Sequence, residues 1–271
     1  MPELPEVETI KNELLPHVIG RQITGVTLFW QGIVRDTPVE DFRSRLLGQR
    51  VSGLGRRGKY LLFQLSSGEI LVIHLRMTGS LLLNSAPSDG RFVRAIIHLS
   101  DGIELSFRDP RKFGVMWLAP EERVIGDRLG PEPLEESFTF EVLAGRLHNR
   151  TAPIKALLLD QEFIAGIGNM YADEALFAAK IHPLRAGGSL SRAEIVKLHH
   201  AIQRVLQAAI ASQGASVLNY YRPGGGLGTA HFGFSVAHRG GEFCPNCGTP
   251  IKRLAIRNRG SYFCPVCQPE A

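Results

Sequence analysis

Two kinds of group that can do chemistry lie at the start of the sequence: a potential N-terminal amine and a pair of side-chain carboxylates. The chain begins Met-Pro-Glu-Leu-Pro-Glu-Val-Glu. The small residue after Met1 favours removal of that methionine, which would leave Pro2 with a free secondary amine, a potential nucleophile. Glu3 and Glu6 stand three residues apart at the start of an apolar pattern with helical spacing, which predicts that both carboxylates share one face of a helix beginning here. The helix dipole disfavours a charged amine and the carboxylates favour it, so the sequence leaves its protonation open. Proline and glutamate are also common at helix starts that do no chemistry.

The four cysteines form two pairs near the end of the chain. They occur as Cys244-Pro-Asn-Cys247 and Cys264-Pro-Val-Cys267, with sixteen residues between the pairs. This spacing is typical of a zinc site with four thiolate ligands, and disulfides or unligated thiols are the alternatives. Four thiolates complete the tetrahedron and leave no position for substrate. The sequence therefore predicts one structural zinc ion, which holds a hairpin whose turn carries Arg257, Asn258 and Arg259.

The composition is that of a globular protein. The chain has 271 residues, of which 44% are hydrophobic, enough for roughly two domains. It contains no apolar run of about 18 residues and its N-terminus is acidic, so we expect neither a membrane span nor a signal peptide, and a cytoplasmic location. The formal net charge is +5, and from Arg43 to Lys59 there are six basic residues and no acidic one. This excess favours a polyanionic partner, with a solvated basic face as the alternative.

Short β-type runs separated by glycine and polar turns follow the first helix, which is predicted to end within residues 17–20. Eight strands are predicted, at residues 23–30, 51–54, 60–65, 70–75, 80–83, 92–99, 103–107 and 115–118. Ser66-Ser67-Gly68 and Ser100-Asp101-Gly102 indicate hairpin turns between strands. This many strands at short spacing favours a β-sandwich or a barrel.

The pattern becomes helical in the second half of the chain. Residues 126–137 are rich in glycine, proline and glutamate, which indicates a domain boundary. Helices are predicted at residues 138–148, 153–160, 169–179 and 191–212, the last with a capping box from Ser191 to Glu194. Gly166-Ile167-Gly168-Asn169 exposes backbone N–H groups at a helix start, which can hold a phosphate, although such glycine turns are common. The glycine-rich residues 222–228 predict a mobile loop.

Five motifs, taken together and in order, resemble those of one enzyme family. They are Pro2-Glu-Leu-Pro-Glu6, Gly58-Lys59-Tyr60, Asp109-Pro110-Arg111-Lys112-Phe113-Gly114, Gly166-Ile167-Gly168-Asn169 and the terminal cysteine hairpin. Over essentially its whole length the chain resembles the formamidopyrimidine-DNA glycosylases, bacterial enzymes of base-excision repair. Leu4 favours the branch that acts on oxidised purines, because the related endonuclease VIII group typically has glycine there.

The resemblance implies a bifunctional DNA glycosylase and AP lyase, acting chiefly on 8-oxoguanine opposite cytosine and on formamidopyrimidines. Pro2 would attack the anomeric carbon of the damaged nucleotide, expel the base and form an iminium ion, after which β- and δ-elimination cut the strand. Glu3 would donate a proton to the sugar ring oxygen and Glu6 would orient the N-terminus. Lys59 would lie beside the lesion and its phosphate.

The resemblance also implies how the DNA backbone is held. Asn169 and Arg259 would grip phosphates that flank the flipped nucleotide, and His74 would do likewise. Without the resemblance, His74 reads as an ordinary strand histidine. The glycine-rich loop would close over the extruded base. Residues 230–234 differ from the sequence that is usual in the family, so the details of base recognition stay open.

Three further residues are implied to replace the base that leaves the duplex. Met77 and Arg111 would occupy the vacated stack, and Phe113 would wedge into the opposite strand. Taken by themselves, Met77 and Phe113 read as core residues.

The implied fold is α+β. It comprises an N-terminal helix with a β-sandwich at residues 1–132, a helical domain with a helix-two-turn-helix motif and a lesion-capping loop at 133–237, and a four-cysteine zinc finger at 238–271. We expect a monomer whose partner is double-stranded DNA with damaged bases. Two other functions stay open: an oxidised-pyrimidine glycosylase of the endonuclease VIII type, and a catalytically silent zinc-containing nucleic-acid-binding protein. Pro2, Glu3 and Lys59 argue against the silent protein, because phosphate binding needs no free N-terminal amine.

Overall fold

The computed structural model describes residues 1–84, 91–217 and 220–270 of the chain. The chain folds into two compact units. The first comprises Met1–Asp127 with Ser212–His231, and the second Arg128–Ala211 with Phe232–Ala271. Among the described residues, no helix is long and apolar enough to cross a membrane.

The first unit is built from an N-terminal helix, α1 (Leu4–Val18), and two four-stranded antiparallel sheets. The strands are β1 (Ile23–Leu28), β2 (Val51–Arg57), β3 (Tyr60–Leu65), β4 (Ile70–His74), β5 (Ser80–Leu83), β6 (Val93–Leu99), β7 (Glu104–Arg108) and β8 (Val115–Ala119). One sheet has the order β1-β6-β7-β5 and the other β2-β3-β4-β8. All eight predicted strands are present, and the two sheets form the predicted sandwich.

The two sheets and α1 share one hydrophobic core. Along β6 every second side chain is buried, which is the period that a half-buried strand requires. Helix α1 adds Val7, Ile10 and Leu14 to the same cluster, at the spacing of one helical face. Each such aliphatic side chain stabilises the fold by about 1.5–3 kcal/mol through burial. The core therefore fixes α1, and with it the N-terminal residues, against the sandwich.

Helix α2 (Val39–Leu46) was not predicted from the sequence. It is short and mostly polar, and it buries only Phe42 and Leu46. Its acidic first turn and basic last turn match the helix dipole. The basic run that begins at Arg43 thus starts inside a helix rather than on a continuous strand surface. A four-residue helix, α3 (Arg123–Gly126), follows β8.

The second unit is helical and ends in a hairpin. Its elements are α4 (Phe140–Leu147), α5 (Ile154–Leu158), α6 (Asn169–Ala179), α7 (Arg192–Ala211), β9 (Lys252–Ile256) and β10 (Arg259–Phe263). The capping box predicted before α7 is confirmed: the Ser191 backbone N–H donates to a Glu194 carboxylate oxygen at 2.7 Å, and the Glu194 N–H donates to the Ser191 hydroxyl at 3.3 Å. Phe177 of α6 packs with Val236, Ile251 and two cysteines of the hairpin region. This cluster joins the hairpin to the helices.

Candidate functional site

The two N-terminal carboxylates form a reciprocal helix cap. The Glu3 backbone N–H donates to Glu6 Oε2 at 2.7 Å, and the Glu3 side chain accepts the backbone N–H of Glu6. Both side chains are buried, with 2% and 1% of their surface exposed, and Pro2 is buried beside them. Glu3 therefore precedes the helix as its cap, while Glu6 lies in the first turn. The arrangement holds the backbone that follows Pro2 in one conformation.

Glu6 also holds a segment that is remote in sequence. Its Oε1 accepts the backbone N–H of Ala215 at 2.8 Å. Gly214 before it has φ +79°, and a Cβ there would lie 2.9 Å from Glu6 Cγ, so only glycine fits without a shift. A second link joins Arg222 to Glu13 of α1, with 2.6 Å between guanidinium nitrogen and carboxylate oxygen. Residues 212–231 therefore belong to the unit that contains the N-terminus. Sequence reasoning missed these links.

Lys59 lies in a two-residue turn between β2 and β3. Gly58 has φ +55°, as such tight hairpin turns require, and Lys59 is only 7% exposed. Arg56 supports the turn by donating to the Gly58 carbonyl at 3.0 Å, and it also donates to Glu8 of α1 at 2.7 Å. Burial works to raise the pKa of Glu8, but the hydrogen bonds from Lys11 and Arg56 outweigh it and hold that pKa below its usual range. The turn and the N-terminal helix thus share one charged support, which the sequence did not reveal.

His74, the last residue of β4, is buried and neutral. Its Nδ1 accepts the backbone N–H of Arg76 at 3.0 Å. Burial, together with the nearby cations Arg76 and Lys59, lowers the pKa of His74 to about 3. The ring of Tyr60 packs edge-on at 4.6 Å. Because Nδ1 is an acceptor, the ring proton lies on Nε2, which makes His74 a neutral hydrogen-bond donor.

Met77, Arg111 and Phe113 lie on two loops of the sandwich. Met77 is 43% exposed and Phe113 45% exposed, so neither is a core residue. The Arg111 guanidinium lies over the Phe113 ring, 4.6 Å from its centroid. These exposed apolar side chains and the stacked cation have the chemistry that inserts between bases.

In the second unit, Asn169 begins α6 and contacts the hairpin. Its side-chain amide donates to the Gly260 carbonyl at 2.9 Å, which brings the start of α6 against β10, the strand that Arg259 begins. The first N–H groups of a helix have no acceptor within the helix and can bind an anion. Helix start and hairpin therefore form one candidate phosphate-binding surface.

A buried ion pair lies beneath that surface. The fully buried Lys155 ammonium donates to the Asn169 carbonyl at 2.8 Å and to Asp173 Oδ1 at 2.5 Å. A fully buried lysine needs such partners, since an isolated ammonium would be very costly away from water. Lys155 lies in a short apolar helix where nothing local marks it as buried, so sequence reasoning missed the pair.

The four cysteine sulfurs are gathered at one end of the hairpin. They all lie within 4.8 Å of one another, and the cysteines are not disulfide-bonded. The Cys244–Cys267 and Cys247–Cys264 sulfur distances are 3.8 and 3.4 Å. A tetrahedron with Zn–S bonds of about 2.3 Å has edges of about 3.8 Å, whereas a disulfide requires about 2.05 Å. The four cysteines fit a structural zinc ion with four thiolate ligands.

The basic run from Arg43 to Lys59 is not one free basic face. Arg43 pairs with Glu40, Arg45 with Glu69, and Arg56 with Glu8. Acidic partners outside the run thus pair with at least three of its six cations. Charge counted along the sequence overstated the positive surface here.

Comparison with known proteins gives matches along the chain. The family profile for the formamidopyrimidine-DNA glycosylase N-terminal domain matches residues 1–116. The profile for the H2TH domain of these glycosylases matches residues 129–220, and that for the zinc finger found in FPG and IleRS matches residues 241–269. The formamidopyrimidine-DNA glycosylase of Chloroflexus aurantiacus is 47% identical over 99% of this chain and 98% of its own. That of Herpetosiphon aurantiacus is 43% identical over 99% of this chain and 100% of its own.

Solved structures agree with these matches. The MutM (Fpg) protein from Thermus thermophilus is 39% identical, with a TM-score of 0.90 over 100% of both chains. Lactococcus lactis Fpg in complex with DNA containing an abasic site is 34% identical, with a TM-score of 0.91 over 99% of this chain and 100% of that one. The same enzyme in complex with DNA containing Fapy-dG is 35% identical, with a TM-score of 0.90 and the same coverage.

Proposed function

Since this chain belongs to the formamidopyrimidine-DNA glycosylase family, and is thus a base-excision repair enzyme, we propose that it removes oxidised purines by the chemistry of its N-terminal proline. The substrates are 8-oxoguanine opposite cytosine and formamidopyrimidines in duplex DNA. The relatives solved with Fapy-dG and abasic-site DNA support this substrate class. The enzyme acts in the bacterial cytoplasm, on the DNA of the nucleoid.

Pro2 is the nucleophile once Met1 has been removed. Its nitrogen lone pair attacks C1′ of the damaged nucleotide, and the base leaves with the electrons of the glycosidic bond. Glu3 protonates the ring oxygen as the sugar opens, and the resulting iminium cation acidifies C2′. Loss of the C2′ proton expels the 3′ phosphate, a second elimination expels the 5′ phosphate, and water then releases Pro2 from the sugar remnant.

Glu6 and Lys59 serve this chemistry from fixed positions. Glu6 uses one carboxylate oxygen to cap the helix start and the other to hold Ala215, so its role is to orient the N-terminus. Lys59 is held by a glycine turn and is nearly buried, which favours a cation aimed at the lesion and its phosphate.

The phosphate contacts come from His74, Asn169 and Arg259. His74 contributes a neutral N–H donor, Asn169 the start of a helix, and Arg259 a guanidinium at the hairpin turn. The zinc ion supplies no chemistry; it holds the hairpin that presents Arg259.

Met77 and Arg111 occupy the space that the flipped nucleotide leaves, and Phe113 wedges into the opposite strand. Taking a base out of the duplex costs a few kcal/mol of unstacking and unpairing, which these side chains offset in part. In terms of the predicted domains, residues 1–132 carry the chemistry and the gap-filling loops, 133–237 the helix-two-turn-helix contacts and the lesion loop, and 238–271 the zinc finger.

The observation that carries the proposal is the reciprocal cap, which buries the carboxylates of Glu3 and Glu6 directly after the nucleophile, Pro2. Glu3→Gln tests it, because the amide preserves the shape but cannot donate a proton as an acid does. We expect this variant to bind an 8-oxoguanine duplex as the parent does and to fail at base removal. Excision by Glu3→Gln at the parent rate would contradict the role of Glu3. Faster release of oxidised pyrimidines than of oxidised purines by the parent would favour an endonuclease VIII activity instead.

A further inference from the structure

Two neighbouring loops cross between the sheets of the sandwich. Residues 75–79 connect β4 to β5 and carry Met77, while residues 109–114 connect β7 to β8 and carry Arg111 and Phe113. The strands at both ends of these loops are paired: His74 pairs with Val115 in one sheet, and Ser80 with Arg108 in the other. The two loops therefore leave the sandwich side by side.

Asp109 is the common hydrogen-bond acceptor of the two loops. Its carboxylate is 1% exposed and accepts three backbone N–H groups of its own loop, those of Arg111 at 3.1 Å, Phe113 at 2.7 Å and Gly114 at 2.7 Å. It also accepts the hydroxyl of Thr78, which follows Met77 in the other loop and is itself buried. One carboxylate thus holds the backbone at Arg111 and Phe113 and the residue next to Met77.

The backbone of Asp109 is itself held by hydrogen bonds. The Asp109 N–H donates to the Phe92 carbonyl at 2.9 Å, and Arg94 Nε donates to the Asp109 carbonyl at 2.7 Å. Gly114 closes the second loop tightly, since a Cβ there would lie 2.4 Å from the Phe107 ring. In the first loop, a Cβ on Gly79 would lie 2.4 Å from the Leu75 carbonyl oxygen. Both loops are therefore closely packed where they join the sandwich, while the side chains at their tips reach solvent.

We propose that Asp109 and Thr78 are positioning residues that hold Met77, Arg111 and Phe113 as one preformed unit, and that this unit sets the rate at which the damaged base leaves the duplex. The inference rests on the gap-filling role given above to those three side chains. Filling the vacated stack and wedging the opposite strand require the three side chains to enter neighbouring positions of the duplex together. Misplacing such a group by about 1 Å can cost up to 100-fold in rate.

The Thr78 hydroxyl is the best place to test the pair, because it makes the contact between the two loops. Thr78→Val keeps the size and branching of the side chain but removes the donor, while Thr78→Ser keeps the donor. Thr27→Val is a matched control, since it removes a hydroxyl of β1 that hydrogen-bonds His98 of the neighbouring strand β6 at 2.8 Å.

Two single-turnover rates are measured for each variant: excision of 8-oxoguanine from a duplex, and cleavage of a duplex with a preformed abasic site. The first requires a base to be extruded and the second does not. We expect Thr78→Val to slow excision on the order of tenfold and to cleave the abasic duplex within about twofold of the parent rate. Thr78→Ser restores excision, and Thr27→Val leaves both rates unchanged.

The outcomes separate this proposal from the one on which it rests. If Met77→Ala and Phe113→Ala both excise at the parent rate, the gap-filling role itself is wrong. If they slow excision and Thr78→Val does not, the positioning role is wrong. Equal slowing of both reactions by Thr78→Val, or slowing that Thr78→Ser does not reverse, would show a general packing defect and also overturn it. Thr78→Ala repeats the test with a smaller side chain, should valine fold poorly.

A double mutant tests the coupling directly. If Thr78 acts by positioning Met77, then adding Thr78→Val to Met77→Ala should slow excision by no more than about threefold, compared with the tenfold expected in the parent. If Thr78→Val slows excision by the same factor in both backgrounds, Thr78 does not act through Met77.

Discussion

The buried imidazole of His74 should make the folded protein less stable as the pH falls. The His74 ring is buried, its Nδ1 accepts the Arg76 N–H, and Arg76, Lys59 and Arg35 lie close enough to oppose a positive charge. These effects, led by burial, lower its pKa from the ordinary 6.5 to about 3. In the unfolded chain the same imidazole regains its ordinary pKa.

The sign of the effect follows from which state binds the proton. The folded pKa lies below the unfolded one, so the unfolded chain takes up a proton that the folded protein refuses. The stabilisation is fully present above pH 6.5 and is lost as the pH falls towards about 3. At about pH 5.5 the unfolded imidazole is about nine-tenths protonated, which lowers the free energy of unfolding by about 1.4 kcal/mol relative to about pH 7.5.

Urea unfolding at these two pH values measures the difference. The parent protein should lose about 1.4 kcal/mol more than His74→Gln, which lacks the titrating group. A constant destabilisation by the substitution cancels, because each variant is compared with itself at the other pH. His98→Gln, which replaces a half-buried histidine of β6, is the control. This variant should still lose the unfolding free energy that His74 contributes between the two pH values. Equal pH dependence in the parent and His74→Gln would refute the reasoning, and with it the assignment of a neutral phosphate donor.

Three further results are expected. Arg259→Ala should weaken binding to damaged duplex and make the dependence of the logarithm of affinity on the logarithm of salt concentration shallower by about one unit, because the proposed phosphate contact is removed; an unchanged slope would exclude that contact. Removal of zinc by a chelator should lower DNA affinity and unfold the hairpin, as seen by circular dichroism, since four thiolates hold it; full binding and cutting by zinc-free protein would contradict the structural role. Asp173→Ala should lower the free energy of urea unfolding by about 3–5 kcal/mol, because it leaves the Lys155 ammonium buried without its counter-charge; a loss below about 1 kcal/mol would show that water reaches the lysine.

The strands, the long helices and the cysteine ligands could be predicted because their signals are local. Short β-type runs bounded by glycine and polar turns indicated the strands of the sandwich, and Ser191 with Glu194 indicated the start of α7. The paired cysteine spacing indicated a cluster that the structure brings within 4.8 Å. In each of these cases the residues that determine the feature are close together in the sequence.

The supports of the site could not be predicted, because their partners are distant in sequence. Glu6 holds Ala215 across 209 positions, and Arg56 holds Glu8 across 48. No local pattern encodes such pairs; they exist only once the core has brought the segments together. Asp109 is an intermediate case, since its loop is a recognisable motif but its contact with Thr78 depends on two sheets meeting at one edge.

Helix α2 and the basic run show a different limit. Val39–Leu46 carries little apolar pattern, so its two buried residues did not stand out among charged neighbours. The cations of the run were counted without their partners, which come from α1, from α2 itself and from the residue before β4. Net charge along a sequence therefore favoured the correct class of partner but not the surface that binds it.

The central claim is that Pro2 is the nucleophile, and trapping the covalent intermediate tests it most directly. Borohydride added during the reaction with an 8-oxoguanine duplex reduces the iminium ion to a stable amine, and mass spectrometry of the digested adduct then identifies the attached residue. We expect the DNA remnant on the peptide that begins at Pro2, and no adduct in protein that keeps Met1, because an amide nitrogen cannot form an iminium. An adduct on Lys59, or full excision by a preparation in which every chain keeps Met1, would contradict the account.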